Sequence, residues 1–181
     1  LKSEVFVNSQ LKYFSTLSPI PNFRKWLENE NPYDAVNVVL GHADFVPNTV
    51  FESGKTGRLY GYNTLSQFGR EKLIDKIYNV KNGNYEDDDY NLARLPLAAH
   101  YLIDKKSNKN SEQALCPVAN FHLSNGAILH RLNSRGDMSN SGIKRSFGMM
   151  VNYLYDLNLL NKNSKNYKER GIIKSDIGWG L

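Results

Sequence analysis

The stretch from Cys116 to Asn133 constrains this chain more than any other. Two apolar runs, Val-Ala-Asn-Phe-His-Leu and Ala-Ile-Leu-His-Arg-Leu, flank Ser124-Asn125-Gly126. Asn-Gly supplies the positive backbone φ angles of a tight turn, and between apolar runs it is a strong hairpin signal. The pattern predicts an antiparallel hairpin over residues 117–133, turning at Asn125-Gly126. His122 then sits among apolar residues on the first strand, where an imidazole can exchange a proton near neutral pH.

At 181 residues the chain holds one core of domain size. It opens on Leu1, so it is expected to be a piece of a longer protein. No run of 18 apolar residues and no signal peptide is visible, so no membrane span is expected. The lone Cys116 has no partner for an internal disulfide, which favours a reducing compartment, and it reads as a small buried thiol. The net charge of +5 comes largely from Lys105, Lys106, Lys109, Lys162, Lys165, Lys168 and Arg170. These stand among Asn and Ser, as on solvated loops or helix faces. Glu86-Asp87-Asp88-Asp89 interrupts any continuous basic stripe, so nucleic acid is not an expected partner. That acidic run lacks the spacing of a calcium loop, and no metal is expected. Ser53-Gly54-Lys55-Thr56 imitates the end of a phosphate-binding loop, but position 49 is Thr where the motif needs Gly.

The organisation is α/β. Residues 12–17 read as a strand stopped by Pro19 and Pro21. Residues 23–27 begin a helix with Trp26 and Leu27 inward, and 33–41 suit another. Residues 47–64, rich in Gly, Asn, Ser and Thr, read as a loop. Apolar positions 68, 73, 74 and 77 fit an amphipathic helix over 66–78. Residues 79–89 are a polar break. A helix over 90–103 is kinked or restarted at Pro96, and 104–113 is a charged loop. Residues 139–156 read as a helix whose end becomes ambiguous with strand, because of Gly142 and Gly148.

Three segments carry a family resemblance in the same order. Ser15-Thr-Leu-Ser18-Pro-Ile-Pro21-Asn-Phe23-Arg-Lys-Trp26-Leu27 resembles a Leu-Ser-Pro-Ile-Pro-Gly-Phe element followed by Trp-Leu. The segment around His122 resembles a histidine-bearing one. Val151-Asn152-Tyr153-Leu-Tyr155 is similar to an Asn-Tyr-x-Tyr element. All three are features of the malonyl-CoA decarboxylase family. In between, Ala98-Ala99-His100-Tyr101-Leu102 also matches, and residues 28–112 agree mainly in helical character.

This resemblance implies that residues 1–181 form the C-terminal part of a GNAT-like catalytic domain. It would have a mixed sheet, a mostly helical insertion over 28–112 and the 117–133 hairpin. It implies decarboxylation of malonyl-CoA to acetyl-CoA and CO₂, with Ser18 and His122 as the catalytic, substrate-contacting pair and Tyr155 beside the substrate. The chemistry itself, for which a Ser and a His suffice, calls for no metal or organic cofactor, and the resemblance implies a homo-oligomer. It places the protein in a bacterial cytoplasm or a mitochondrial matrix; the final Gly-Leu is not a peroxisomal address. The glycine-containing pyrophosphate turn of the family lies upstream of the serine segment and is expected to be missing here.

The chemistry suits those side chains. Loss of CO₂ leaves an enolate, which needs a proton at carbon and hence a nearby general acid. The departing carboxylate must be oriented, and a hydroxyl does this without a full charge that would hold it back. Ser18 and His122 are expected to flank a three-carbon acyl group, about 4–8 Å apart. His42, His100 and His130 are read as structural. Departures are Asn22 in place of the family's Gly, and Asn133-Ser-Arg-Gly-Asp137 where Asn-Trp and Ala-Asp are usual. A non-catalytic acyl-CoA-binding relative and a GNAT-type acyltransferase remain alternatives.

Overall fold

The computed structural model describes residues 11–41, the helical positions Glu71, Ile74, Ile77 and Tyr78, residues 88–107 and residues 111–180. Strand β1 spans Tyr13–Pro19, and helices α1 and α2 span Phe23–Asn29 and Pro32–Gly41. Then come α3 (Asp88–Ile103), α4 (Pro117–Ser124), β2 (Ile128–Asn133), α5 (Asn140–Ser146), β3 (Met150–Asp156), α6 (Leu160–Arg170) and β4 (Ser175–Gly180). The four strands form one mixed sheet in the order β1-β3-β2-β4. β3 pairs antiparallel with both neighbours, and β4 runs parallel to β2. The fold is therefore α/β, as expected.

β1 carries Tyr13, Phe14 and Thr16, residue types that favour a pleated strand, and it ends at Pro19, which has no N–H for the ladder. Its register sets Phe14 opposite Tyr155, Thr16 opposite Tyr153 and Ser18 opposite Val151. Directly paired residues share a sheet face. On that face Val151, Tyr153 and Tyr155 are buried and join Phe23 and Leu27 of α1, Leu97 and Tyr101 of α3, and Ala119 and Leu123 of α4 in one core. The opposite face of β1 presents exposed Tyr13, Ser15 and Leu17. In β2 the register shifts between Leu129 and Arg131, so His130 is the extra residue of a bulge. The bulge lets both Leu129 and Leu132 reach the core, fully buried.

The Pro-rich corner after β1 turns on Asn22, whose φ is +64°. Gly is the usual occupant of such a position and Asn the best-tolerated substitute, so Asn22 can hold the corner where the pattern it resembles has Gly. The Tyr101 hydroxyl donates to the Pro21 carbonyl at 3.0 Å and ties α3 to this corner. Phe23, Trp26, Tyr101 and Phe147 pack with ring centroids 5.2–6.2 Å apart. Trp26 is half-buried and Leu27 wholly so. α3 runs unbroken through Pro96, without the restart considered above.

The hairpin expected over 117–133 is not formed. Residues 117–124 are helix α4, and only 128–133 are strand. The physical reason lies at both ends of α4. Pro117 occupies the first helical turn, where a missing N–H costs nothing. At the other end Gly126 takes φ +86°. Its N–H donates to Leu123 O at 2.9 Å, and Ala127 N–H donates to His122 O at 3.1 Å. This is the Schellman pattern that closes a helix. Asn-Gly thus meets its demand for positive φ as a helix terminator, not as a hairpin turn. Residues 139–156 divide into α5 and β3, separated by Gly148 at φ +80°. Lys162, Lys165, Lys168 and Arg170 lie on α6, and β4 had no sequence signal. The loop expected over 47–64 and most of the helix over 66–78 lie outside the described residues.

Candidate active site

Three elements converge on one point. β1 delivers Ser18, one residue before the proline that ends it, with 6% of its surface exposed. β3 delivers Tyr153 and Tyr155 to the same sheet face. α4 lays His122, half-buried, over that face.

Ser18 Oγ and His122 Nε2 are 3.1 Å apart although 104 positions separate them in the chain. The other ring nitrogen, Nδ1, is 2.6 Å from the Tyr155 hydroxyl. The imidazole lies nearly flat on the Tyr153 ring, with centroids 4.3 Å apart and 15° between planes. Tyr155 meets the imidazole edge-on, and its other side stacks on Phe14 at 4.5 Å and 4°. His122 is therefore held in plane by a stack and in rotation by a hydrogen bond at each nitrogen. Ser18 and His122 touch directly, closer than the 4–8 Å expected from sequence.

A second hydroxyl belongs to the cluster. Thr16 Oγ1 is 3.1 Å from Ser18 Oγ. Sequence reasoning did not single out Thr16; its signal was only the two-residue spacing from Ser18 that places both on one face of a strand. Behind it, Asn152 Nδ2 donates to Thr16 O at 2.9 Å, and Asn133 Nδ2 donates to Asn152 Oδ1 at 2.8 Å.

Burial controls the protonation of the site. It holds His122 below its ordinary value, favouring the neutral imidazole. It raises the Tyr155 phenol and raises Tyr153 far more, so both stay protonated. The Tyr153 hydroxyl is buried without a hydrogen-bond partner among the described residues.

α4 is fastened from behind by α6. The Tyr167 hydroxyl accepts from Ala114 N at 2.7 Å and donates to Asn120 Oδ1 at 2.8 Å. Ser164 Oγ donates to Ser124 O at 2.6 Å, and Asn163 Nδ2 donates to Gly126 O at 3.2 Å. Gly126 lies so close to α6 that an added Cβ would sit 2.2 Å from Leu160 O.

The remaining candidates fall elsewhere. Cys116 is fully buried at the N-cap of α4, and burial pushes its thiol up, away from the reactive thiolate. His100 lies 2.7 Å from Asp104 and His130 3.1 Å from Asp176, each beside its own carboxylate. His42 lies outside the described residues. Among the described residues no group of three or more His, Cys, Asp or Glu is placed to hold a metal ion, and no helix is long and apolar enough to cross a membrane. A cavity of about 370 Å³ between α1 and α5 is lined by Arg24, Lys25, Glu28, Asn140, Ile143 and Lys144, none of them part of this cluster.

Residues 2–178 match the family model of the malonyl-CoA decarboxylase C-terminal domain. The chain belongs to the malonyl-CoA decarboxylase family. It is 36% identical over 166 residues to the mitochondrial malonyl-CoA decarboxylase of Anser anser anser, covering 87% of this chain and 29% of that protein. It is 34% identical to the mitochondrial enzyme of Mus musculus, covering 87% and 30%. Among solved structures it resembles malonyl-CoA decarboxylase from Cupriavidus metallidurans, with a TM-score of 0.67, 29% identity and coverage of 94% of this chain and 38% of that one. It also resembles the enzyme from Rhodopseudomonas palustris, with a TM-score of 0.60, 34% identity and coverage of 91% and 31%. The chain thus spans about a third of the length of these family members.

Proposed function

We propose that this chain carries the proton-transfer half of a malonyl-CoA decarboxylase. The supporting observation is the ordered contact Ser18–His122–Tyr155, with hydrogen-bond distances of 3.1 and 2.6 Å on the two sides of one imidazole. A phenol is a stronger donor than a neutral imidazole N–H, and a bare imidazole nitrogen is a stronger acceptor than a phenol oxygen. In this reading Tyr155 donates to Nδ1, which leaves the His122 proton on Nε2, facing Ser18 Oγ. Tyr155 then acts on substrate through His122, as a positioning residue, and not by the direct contact first expected of it.

The Ser18 hydroxyl donates to the malonyl carboxylate and turns it out of the thioester plane. The bond from that carboxyl to the α-carbon breaks, its electron pair enters the thioester carbonyl, and CO₂ leaves. The enolate takes the Nε2 proton of His122 at its α-carbon, giving acetyl-CoA. The Tyr155 proton moves to Nδ1, and one proton from solvent restores the starting state. Burial keeps His122 neutral yet supplied with a proton by its tyrosine, which permits this relay near neutral pH.

The same reading proposes a homo-oligomer in a bacterial cytoplasm or a mitochondrial matrix, within a longer GNAT-like catalytic domain. CO₂ release from malonyl-CoA by the full-length protein, with and without an added amine acceptor, tests the function. Stoichiometric CO₂ and acetyl-CoA independent of acceptor is the expected result. Acyl transfer that requires the amine would assign an acyltransferase, and binding without turnover would assign an acyl-CoA-binding protein.

A further inference from the structure

We propose that Thr16 and Ser18 form a two-hydroxyl clamp for the substrate carboxylate, with Thr16 as a second, direct donor. The inference rests on the decarboxylase reading above and adds a residue to it.

Thr16 and Ser18 stand two positions apart on β1, on the face that carries His122, with their oxygens 3.1 Å apart. A carboxylate offers an acceptor oxygen to each of two such donors. Ser18 Oγ already lies against His122 Nε2. With Nε2–H donating to it, its own hydrogen is available to point toward Thr16 or toward an acyl group. Thr16 carries a hydroxyl next to that same approach, half-buried and thus reachable.

The position of Thr16 is well fixed for a residue at the edge of the sheet among the described residues. Beyond the ladder to β3, its carbonyl accepts from Asn152 Nδ2 at 2.9 Å, and Asn152 is held in turn by Asn133 Nδ2 at 2.8 Å. Three strands therefore set where this hydroxyl stands. Two neutral donors also suit the reaction. They orient a carboxylate, but they hold it less tightly than a guanidinium would, and tight ground-state binding would oppose its loss as uncharged CO₂. The clamp has a further consequence: acetyl-CoA has no carboxylate to grip, so the product leaves without breaking these bonds.

The test compares Thr16→Val, Thr16→Ser and Ser18→Ala in the full-length protein. Affinities for malonyl-CoA and acetyl-CoA are measured by calorimetry, turnover by CO₂ release, and folding by thermal melting. Thr16→Val keeps the shape of Thr and lacks only the hydroxyl. It is expected to weaken malonyl-CoA binding by about 10–100-fold, the scale of one hydrogen bond to a charged group. Acetyl-CoA binding should change less than about 2-fold on the same scale. Thr16→Ser should restore malonyl-CoA affinity. Equal loss of both ligands, no loss of either, or failure of Thr16→Ser to restore binding overturns the clamp. If Thr16→Val melts too early to assay, Thr16→Ala compared with Thr16→Ser decides: selective loss of malonyl-CoA in the alanine variant but not in the serine variant supports the clamp, and the same affinities in both variants overturn it. Selective loss of malonyl-CoA in Ser18→Ala but not in Thr16→Val refutes Thr16 while leaving the decarboxylase reading intact. A wild-type protein that releases no CO₂ from malonyl-CoA removes that reading and the clamp with it.

Discussion

The imidazole of His122 rests on the ring of Tyr153, 4.3 Å between centroids and 15° from parallel. This contact separates two roles within one side chain. The ring supports His122, whereas the hydroxyl is buried without a partner among the described residues. Tyr153→Phe should keep turnover and hold or raise stability by about 1 kcal/mol, because it removes a desolvated hydroxyl. Tyr153→Leu should lower turnover about 2–10-fold through loss of the stack. Equal damage from both substitutions would show that the hydroxyl itself works in the site.

Ser18→Ala and His122→Ala should each lower turnover by roughly 10²–10⁴ in the full-length protein. Tyr155→Phe removes the donor to Nδ1 and should cost about 10–10²-fold by misplacing the imidazole proton. His130→Ala is the comparison, since His130 is a bulge residue beside Asp176. Steady-state CO₂ release checks all four. Near-full turnover in His122→Ala, or equal damage in His130→Ala, would refute the assignment.

Acid should weaken the fold through His122. Burial lowers its folded value below the ordinary 6.5, so the folded state prefers the neutral ring. Between the lowered folded value and 6.5 the unfolded chain binds more protons, and stability there rises with pH. The contribution of the neutral ring is fully present above that window and is lost as pH falls through it. Between about pH 7.5 and 5.5, melting temperature should fall further for the wild type than for His122→Asn. Identical falls would show that the site imposes no such preference.

Gly126→Ala tests the placement of α4. The substitution forces a side chain into φ +86° and sets a Cβ against Leu160 O. Strain of this kind costs about 1–3 kcal/mol before any clash is counted. A lower melting temperature, together with reduced turnover, is the expected result. An unchanged melting temperature would mean that α4 and α6 part more easily than their packing indicates.

The clustering candidate residues were more legible in the sequence than the element that carries His122. Ser18, His122 and Tyr155 stood out because three separated segments matched one family pattern in order. β1 was legible because its composition suits a strand and its prolines bound it. α4 was misread because Asn-Gly satisfies the same φ requirement at a hairpin turn and at a helix end. Pro117 was the discriminating residue: it fits a first helical turn and fits poorly in a paired strand. β4 gave no signal because Gly178 and Gly180 weaken any strand pattern, and its partner β2 lies far back in the chain. Thr16 escaped notice because the nearness of two hydroxyls becomes visible only once β1 is pleated and set against β3.

The fastening of α4 by α6 separates signature from competence. A relative could keep Ser18, His122 and Tyr155 intact and still lose Tyr167, whose single hydroxyl joins Ala114 to Asn120. The acid proposed above would then ride on a loosened helix, and a search for these three residues alone would miss the change. Tyr167, Ser164 and Asn163, which hold α4 at Asn120, Ser124 and Gly126, are thus the positions at which the proposed reading expects change to matter even where Ser18, His122 and Tyr155 are kept.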